Sequence, residues 1–169
     1  MSAVRPVPAP TLPPEPSLHL DHQLCFALYA TSLAMTKVYR PLLAALGLTY
    51  PQYVVMLALW QHGETAAGAL GQRVALDSGT LSPLVRKLVA QGWLQRQRSA
   101  SDDRSVLISL TAAGAALRDQ AHAVHAQVGC ATQCSAEQLR SMTDGLHSLR
   151  RALMAGPPAA PVAALPAPI

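Results

Sequence analysis

The chain has 169 residues, of which 50% are apolar and 13% are charged, enough for one well-filled domain and too few for two domains of ordinary size. No apolar run reaches the roughly 18 residues of a membrane span, and the N-terminus lacks the regions of a secretory signal, so we expect a cytoplasmic protein. Three cysteines are an odd number, and a structural disulfide framework is not expected in a reducing compartment.

Proline is concentrated at the two ends of the chain. Of fourteen prolines, six lie in residues 1–17 and five in residues 157–168. We therefore predict disordered tails at 1–17 and 155–169, and a single domain at 18–154.

The first two helices are predicted from their caps. Asp21 is a typical N-cap for a long helix over residues 22–46, Gly47 is a C-cap signal, and Pro41 is expected to bend the last turns. A second helix is predicted over residues 51–62, because its proline stands at the first helical position.

A third, short helix is predicted over residues 65–75, followed by a turn at 76–79 and a fourth helix at 80–91. Leucine and valine recur in the fourth helix at i, i+3, i+4, i+7 and i+8, which indicates one buried face. Pro83 is acceptable only if it lies in the first turn of that helix, where its missing N–H would have no partner.

Two β-rich runs, at 93–98 and 106–110, are separated by a turn and predict a hairpin. Further helices are predicted over 111–129 and from Ser135, as N-cap, to about Met154. The predicted fold class is mostly α, with a small β component (α+β).

A short helix, a tight turn, an amphipathic helix and a basic hairpin together make a winged helix-turn-helix. Residues 73–104 hold six of the thirteen basic residues against three acids, so most of the excess positive charge lies there. A helix of this kind enters the major groove, and hairpin arginines reach phosphates or the minor groove. The predicted DNA-contacting residues are Ser78, Thr80, Ser82, Arg86, Lys87, Arg96, Arg98 and Arg104.

Segments 76–84 and 102–111 resemble the recognition helix and wing of MarR-family transcriptional regulators. The resemblance covers about residues 20–153. It implies a homodimer that binds a pseudo-palindromic operator in double-stranded DNA. In that family the Asp-x-Arg signature, here Asp102 and Arg104, stabilises and presents the wing.

The family resemblance also implies that the first and last helices of two protomers intertwine. Dimerisation helices at about 20–47 and 111–154 would then flank a DNA-binding module at about 50–110. The last helix independently carries an apolar stripe that needs a partner surface in so small a domain. The stripe consists of Leu139, Met142, Leu146, Leu149 and Leu153.

The segments around Cys25, Tyr39 and Tyr50 resemble the organic-hydroperoxide-sensing (OhrR-type) branch of this family. The resemblance implies that a hydroperoxide oxidises Cys25 and that Tyr39 and Tyr50 hold the reduced sulfur, from the same protomer or from its partner. At about 100° per residue, Tyr29 and Tyr39 lie within about 40° of Cys25 around the first helix. Tyr29 is therefore a further candidate for the sensor pocket.

Two-cysteine members of this branch join the sensing cysteine to a C-terminal thiol of the other protomer, which releases the DNA. The resemblance assigns this resolving role to Cys130, and Cys134 is close enough to substitute for it. The two would share one face if their helix continued through both. A zinc site that combines them with His122 and His125 is disfavoured, because the spacing matches no compact zinc module.

Two other function classes remain open. A MarR-type repressor could instead be gated by a lipophilic anion that binds without covalent reaction, with Cys25 only lining the cleft. A thiol peroxidase also uses a reactive and a resolving cysteine, but it has no need of the basic helix and wing. We find no phosphate loop or nucleophile elbow, and we predict a regulator rather than an enzyme, without cofactor or metal.

Overall fold

The computed structural model describes residues 18–98 and 106–156. Within these residues it contains six α-helices and three short strands, the mostly helical architecture that the sequence predicts. The helices are α1 (Leu24–Ala44), α2 (Tyr50–His62), α3 (Ala67–Val74), α4 (Ser78–Ala90), α5 (Ala112–Ala131) and α6 (Ala136–Met154), and the strands are β1 (Thr65–Ala66), β2 (Leu94–Arg98) and β3 (Val106–Leu110).

The three strands form one antiparallel sheet in the order β1-β3-β2. The predicted hairpin is confirmed, because Leu94 lies opposite Leu110 and Arg98 lies opposite Val106. The helix pair α3 and α4 packs against α2 and this sheet. The fold is therefore a winged helix-turn-helix.

The hydrophobic core lies between α2, α3, α4, α5, the sheet and the last part of α1. Met56, Leu59 and Leu88 are almost completely buried there. Burial stabilises the fold by about 1.5–3 kcal/mol for each such side chain. In contrast, α6 has no buried residue and α1 has only one, Leu43. The first and last helices therefore contribute little to the core of a single chain.

Side-chain caps determine where several helices begin. Thr49 and Gln52 form a capping box at the start of α2, and Ser135 and Gln138 form another at the start of α6. In each box the glutamine Oε1 accepts the backbone N–H of the N-cap residue at 2.8 Å, so a donor that the helix leaves unpaired is satisfied. The predicted bounds of both helices are confirmed, each to within a residue or so.

The start of the first helix differs from the prediction. Asp21 lies in a single 3-10 turn (Leu20–His22), Gln23 is the N-cap, and α1 begins at Leu24. Gln23 has an extended backbone, with φ −89° and ψ 112°, which separates the two helical segments.

Residues 65–75 and α4 also depart from the prediction. The first two residues of that segment form β1, because they pair with Leu107 and Ile108 of the hairpin. The fourth helix begins at Ser78, so Pro83 lies in its second turn and not in its first. The missing N–H leaves the Gly79 carbonyl without a helical donor, and the exposure of Gly79 lets water take that place. No helix within 18–98 and 106–156 is long and apolar enough to cross a membrane.

Candidate functional site

Helix α4 presents the polar side chains that were predicted to contact DNA. Its opposite face packs into the core through Leu81, Val85 and Leu88. This burial fixes which side of the helix faces outward. The exposed residues of α4 include all five of the predicted helix contacts: Ser78, Thr80, Ser82, Arg86 and Lys87.

Asp77 holds the first turn of α4. Its carboxylate accepts hydrogen bonds from the backbone N–H of Thr80 at 2.9 Å and from the Thr80 hydroxyl at 2.8 Å. The bond from the Thr80 hydroxyl, followed by that from the backbone N–H, lowers the pKa of the Asp77 carboxyl. The hydroxyl hydrogen of Thr80 is bonded to Asp77. The Thr80 side chain can therefore offer a DNA base only its oxygen, as an acceptor, and its methyl group.

The turn between α3 and α4 brings two backbone segments very close together. A Cβ atom at Gly71 would lie 2.9 Å from the carbonyl oxygen of Leu76, and Ala75 has a left-handed backbone with φ 56°. Glycine at position 71 therefore permits the tight turn that sets α4 against α3.

Strand β2 presents Arg96 and Arg98, which are both exposed. They lie opposite Ile108 and Val106 of β3. Two further wing predictions, Asp102 and Arg104, lie outside the described residues and remain predictions. The described cations of α4 and β2, Arg86, Lys87, Arg96 and Arg98, are all exposed, and exposed cations favour a polyanion.

Cys25 is the second residue of α1, and its side chain is exposed. The predicted start at His22 would make Cys25 the fourth residue of the helix. Because α1 begins at Leu24, Cys25 instead lies nearer the start of the first turn. Its neighbours Leu24, Phe26 and Leu28 are also exposed, so the first turns of α1 leave apolar side chains uncovered around the sulfur.

Tyr39 and Tyr50 lie together, with ring centroids 4.9 Å apart. Burial, followed by the neighbouring Tyr53 and Tyr50, raises the pKa of Tyr39 to about 12. The two rings line a cleft of about 430 Å³ between α1 and α2, to which Leu146 of α6 also contributes. Tyr39 therefore remains a neutral phenol, and so a hydrogen-bond donor, at physiological pH.

Within one chain Cys25 does not reach this tyrosine pair. Cys25 and Tyr39 are fourteen residues apart on the same helix, which is about 21 Å along its axis. Tyr29, the third predicted pocket residue, is 63% exposed and lies outside the cleft that Tyr39 and Tyr50 line. The structure thus brings together two of the three predicted tyrosines.

Tyr53 packs against the ring of Tyr39 and was not predicted from the sequence as a site residue. It is 2% exposed, and its ring lies 5.8 Å from Tyr39 and 6.2 Å from Trp60. Burial, followed by Tyr50, raises the pKa of its phenol. Tyr53 lies three residues after Tyr50, and residues at i and i+3 share a helix face. This spacing could have identified Tyr53 from the sequence.

The two C-terminal cysteines do not share a helix face. Cys130 is the second-last residue of α5 and is exposed, whereas Cys134 lies beyond the helix end. Gln133 has a left-handed backbone with φ 55°, so the helix does not continue through both. The Cys134 thiol donates to the carbonyl oxygen of Thr132 at 3.3 Å.

A second cleft, of about 630 Å³, lies between α2 and α5. Leu57 and Trp60 give it apolar walls, and Arg118, His122 and His125 bring polar groups from α5. In the described segments no cluster of three or more His, Cys, Asp or Glu residues could hold a metal ion. The cleft therefore combines an apolar wall with the Arg118 cation.

The sequence matches known regulators over most of its length. Residues 37–120 match the family model "Transcriptional regulator SarA/Rot". The chain is 43% identical over 136 residues to the organic hydroperoxide resistance transcriptional regulator of Bacillus subtilis (strain 168), an alignment that covers 80% of this chain and 92% of that relative.

Solved structures of AbfR from Staphylococcus epidermidis are also similar. Reduced AbfR bound to DNA has 30% identity and a TM-score of 0.66, over 80% of this chain and 94% of AbfR. Disulfide-formed AbfR has 32% identity and a TM-score of 0.57, over 77% and 91% of the two chains. The chain therefore belongs to the MarR-type winged-helix transcriptional regulators, in the branch that contains the organic hydroperoxide resistance regulators.

Proposed function

We propose that this regulator is a homodimeric repressor that binds operator DNA while Cys25 is reduced and releases it when an organic hydroperoxide oxidises Cys25. One observation carries the proposal. An exposed thiol lies at one end of α1, and the phenol of Tyr39, which lines the cleft beside Tyr50, lies about 21 Å away along the same helix. Two copies related by a two-fold axis can bring these two features together.

The exposed apolar face of α1 and α6 supports such a dimer. Phe26, Leu28 and Leu33 of α1 and Met142 and Leu146 of α6 are all 37–51% exposed in the single chain. Large apolar side chains left exposed on two helices that contribute little to the core are typical of an interaction surface. Antiparallel crossing of two α1 helices would cover it and carry Cys25 to the partner's Tyr39 and Tyr50.

The chemistry follows from these residue types. A Cys25 thiolate attacks the O–O bond of the hydroperoxide, so the sulfur becomes a sulfenic acid and the organic oxygen leaves as an alcohol after protonation. The two phenols donate hydrogen bonds that hold the thiolate before the reaction. The leucine and methionine walls of the cleft favour an organic peroxide over hydrogen peroxide.

A second thiol completes the switch. The partner's Cys130 attacks the Cys25 sulfenic acid, which forms an interchain disulfide and releases water. Exposure of Cys130 at the end of α5 supports this role. The Cys134 thiol is half-buried and bonded to Thr132, so we assign it the alternative role only.

The relatives support both halves of the proposal. The Bacillus subtilis relative is named for organic hydroperoxide resistance, and AbfR has been solved in a reduced DNA-bound form and in a disulfide form. In the reduced state, α4 of each protomer would lie in a major groove, with half-sites about 34–36 Å apart. Arg96 and Arg98 would contact phosphates or the adjacent minor groove.

The deciding experiment measures crosslinking and DNA release on the same samples. The probe is a duplex enriched from a random-sequence pool by the reduced wild-type protein. After treatment with an organic hydroperoxide, we expect a dimer band on non-reducing electrophoresis and loss of the DNA complex. Cys25→Ser should show neither change. Cys130→Ser should lose the dimer band, and Cys134→Ser, the matched control, should keep it.

A ligand-gated repressor is the second candidate, and the α2–α5 cleft is the feature that favours it. Its apolar walls and the Arg118 side chain suit a lipophilic carboxylate. This candidate predicts that Cys25→Ser still releases DNA when an aromatic carboxylate is added. Release by the peroxide alone, and only with Cys25 present, would contradict it.

A further inference from the structure

A series of aromatic contacts leads from the tyrosine cleft towards the wing. The ring of Tyr39 lies 5.8 Å from Tyr53, and Tyr53 meets Trp60 edge to face at 6.2 Å. Tyr53 and Trp60 are seven residues apart on α2, so they project from nearly the same side of the helix. Both side chains stand on one helix and their rings are in contact, so a displacement of α2 or of the Tyr53 ring also acts on Trp60.

Trp60 extends this series to the first turn of α5. Its indole N–H donates a hydrogen bond of 2.9 Å to the carbonyl oxygen of Gly114, 54 residues later in the chain. Gly114 is itself held by its N–H, which donates to the hydroxyl oxygen of Thr111 at 3.0 Å. Trp60 is thus bonded directly to the segment on which the wing rests.

Gly114 packs directly beneath the base of the wing. A Cβ atom at this position would collide with the carbonyl oxygen of Trp93, the residue that precedes β2. The same carbonyl accepts the backbone N–H of Thr111 at 3.1 Å. A displacement of Gly114 must therefore displace the start of β2.

The second tryptophan offers an internal comparison. The indole N–H of Trp93 is shielded from solvent and has no hydrogen-bond partner in the described part of the chain. Replacement of either tryptophan by phenylalanine keeps an aromatic ring and removes an N–H group. Only at position 60 does that change remove a bond between two elements.

We infer that Trp60 is a positioning residue that couples the tyrosine cleft to the base of the wing through Gly114. The effect of Trp60 on the reduced protein does not depend on the proposed function. Its effect on DNA release rests on that function, because release requires oxidation of Cys25. In the reduced state the bond holds the wing where β2 meets DNA. After Cys25 oxidation, movement of the tyrosine rings would be passed to Gly114 through Trp60.

The first test compares reduced proteins. Trp60→Phe should bind the pool-enriched duplex about 3- to 10-fold more weakly than wild type, as expected for one lost hydrogen bond. Trp93→Phe should bind within about 2-fold of wild type, since the N–H it removes is unpaired. Equal affinities for the two variants would overturn the inference, whether or not Cys25 is a sensor.

The second test separates oxidation from release. Trp60→Phe should form the interchain disulfide at the wild-type rate but lose less of its DNA affinity on oxidation than Trp93→Phe does. Equal losses would show that Trp60 carries no signal from the thiol. If the wild-type protein forms no disulfide, the proposed function fails, and the reduced-state comparison still decides the role of Trp60.

A spectroscopic readout distinguishes positioning from general stability. The chain has two tryptophans, so Trp60 is the only indole in Trp93→Phe. In that protein, Tyr53→Leu should shift the indole emission by removing the ring contact. Hydroperoxide should also shift it, but not when Cys25→Ser is added. Unchanged emission after disulfide formation would contradict the coupling.

Discussion

The chemical state of Tyr39 determines what the cleft can do. Its half-buried phenol lies against Tyr50 and Tyr53, and burial together with these two neighbours raises its pKa to about 12. A neutral phenol donates a hydrogen bond, whereas a phenolate would repel a thiolate. Tyr39 is therefore suited to stabilise an approaching sulfur anion throughout the physiological pH range.

The raised pKa of Tyr39 predicts a loss of stability in alkali. The usual tyrosine value is 10.0 and the folded value is about 12, so the folded state retains this proton longer than the unfolded chain does. The stabilisation is complete below pH 10 and is lost as the pH rises towards 12. Tyr39→Phe should therefore lose less stability over this range than wild type. Urea unfolding at several pH values measures this.

Tyr29→Phe is the matched control for this prediction, because Tyr29 lies outside the cleft. It should retain the wild-type fall in alkaline stability. The near-ultraviolet absorbance of tyrosinate should show the full late-titrating amplitude in wild type and in Tyr29→Phe. In Tyr39→Phe this amplitude should be smaller, with the remainder due to Tyr53, whose pKa is also raised. A late amplitude as large in Tyr39→Phe as in wild type would assign all of it to other tyrosines.

At the scale of elements, Thr111 joins α5 to the turn between α4 and the wing. Its hydroxyl donates to the Gly92 carbonyl at 2.6 Å, and the hydroxyl oxygen accepts from the Gly114 N–H. Gly92 has φ 79°, a conformation that glycine adopts without strain. One side chain therefore caps a helix and fixes the turn that leads into β2.

Thr111→Val should lower the free energy of unfolding by about 1–2 kcal/mol, because the cap and the bond to Gly92 are both lost while the shape is kept. Thr111→Ser keeps the oxygen and should remain close to wild type. Urea denaturation of both variants measures the difference. A valine variant as stable as the serine variant would show that the cap is dispensable.

At the scale of the whole molecule, the outer helices α1 and α6 contribute little to the core of a single chain. No residue of α6 is buried in the single chain, and four of its apolar side chains are at least 48% exposed. These side chains and the exposed face of α1 form the surface proposed to pair two protomers. The apparent DNA affinity would then depend on protein concentration. At low concentration the dimer dissociates, and a single protomer binds only one half-site.

Leu146→Ser should weaken the dimer and reduce operator affinity by about 10²-fold at low protein concentration, since a single protomer loses the second half-site. Leu57→Ser is a matched control, because Leu57 is 43% exposed and Leu146 is 48% exposed, but Leu57 lies in the α2–α5 cleft. Sedimentation and DNA-shift titrations measure both properties. If the two variants behave alike, α6 is not part of the interface.

The sequence by itself determined the features that are encoded locally. Helical periodicity located the buried face of α4, Pro51 and Ser135 marked the starts of two helices, and alternation predicted the hairpin. These signals are readable because hydrogen bonding and side-chain phase within a helix or hairpin involve residues close together in the chain.

Only the tertiary structure decided the features that depend on distant residues. The two-residue strand β1 is too short to show a period and exists because it pairs with β3. The series of contacts from Tyr39 through Tyr53 and Trp60 to Gly114 joins three helices. Packing across such long separations is set by the whole fold, so no local pattern in the sequence could predict it.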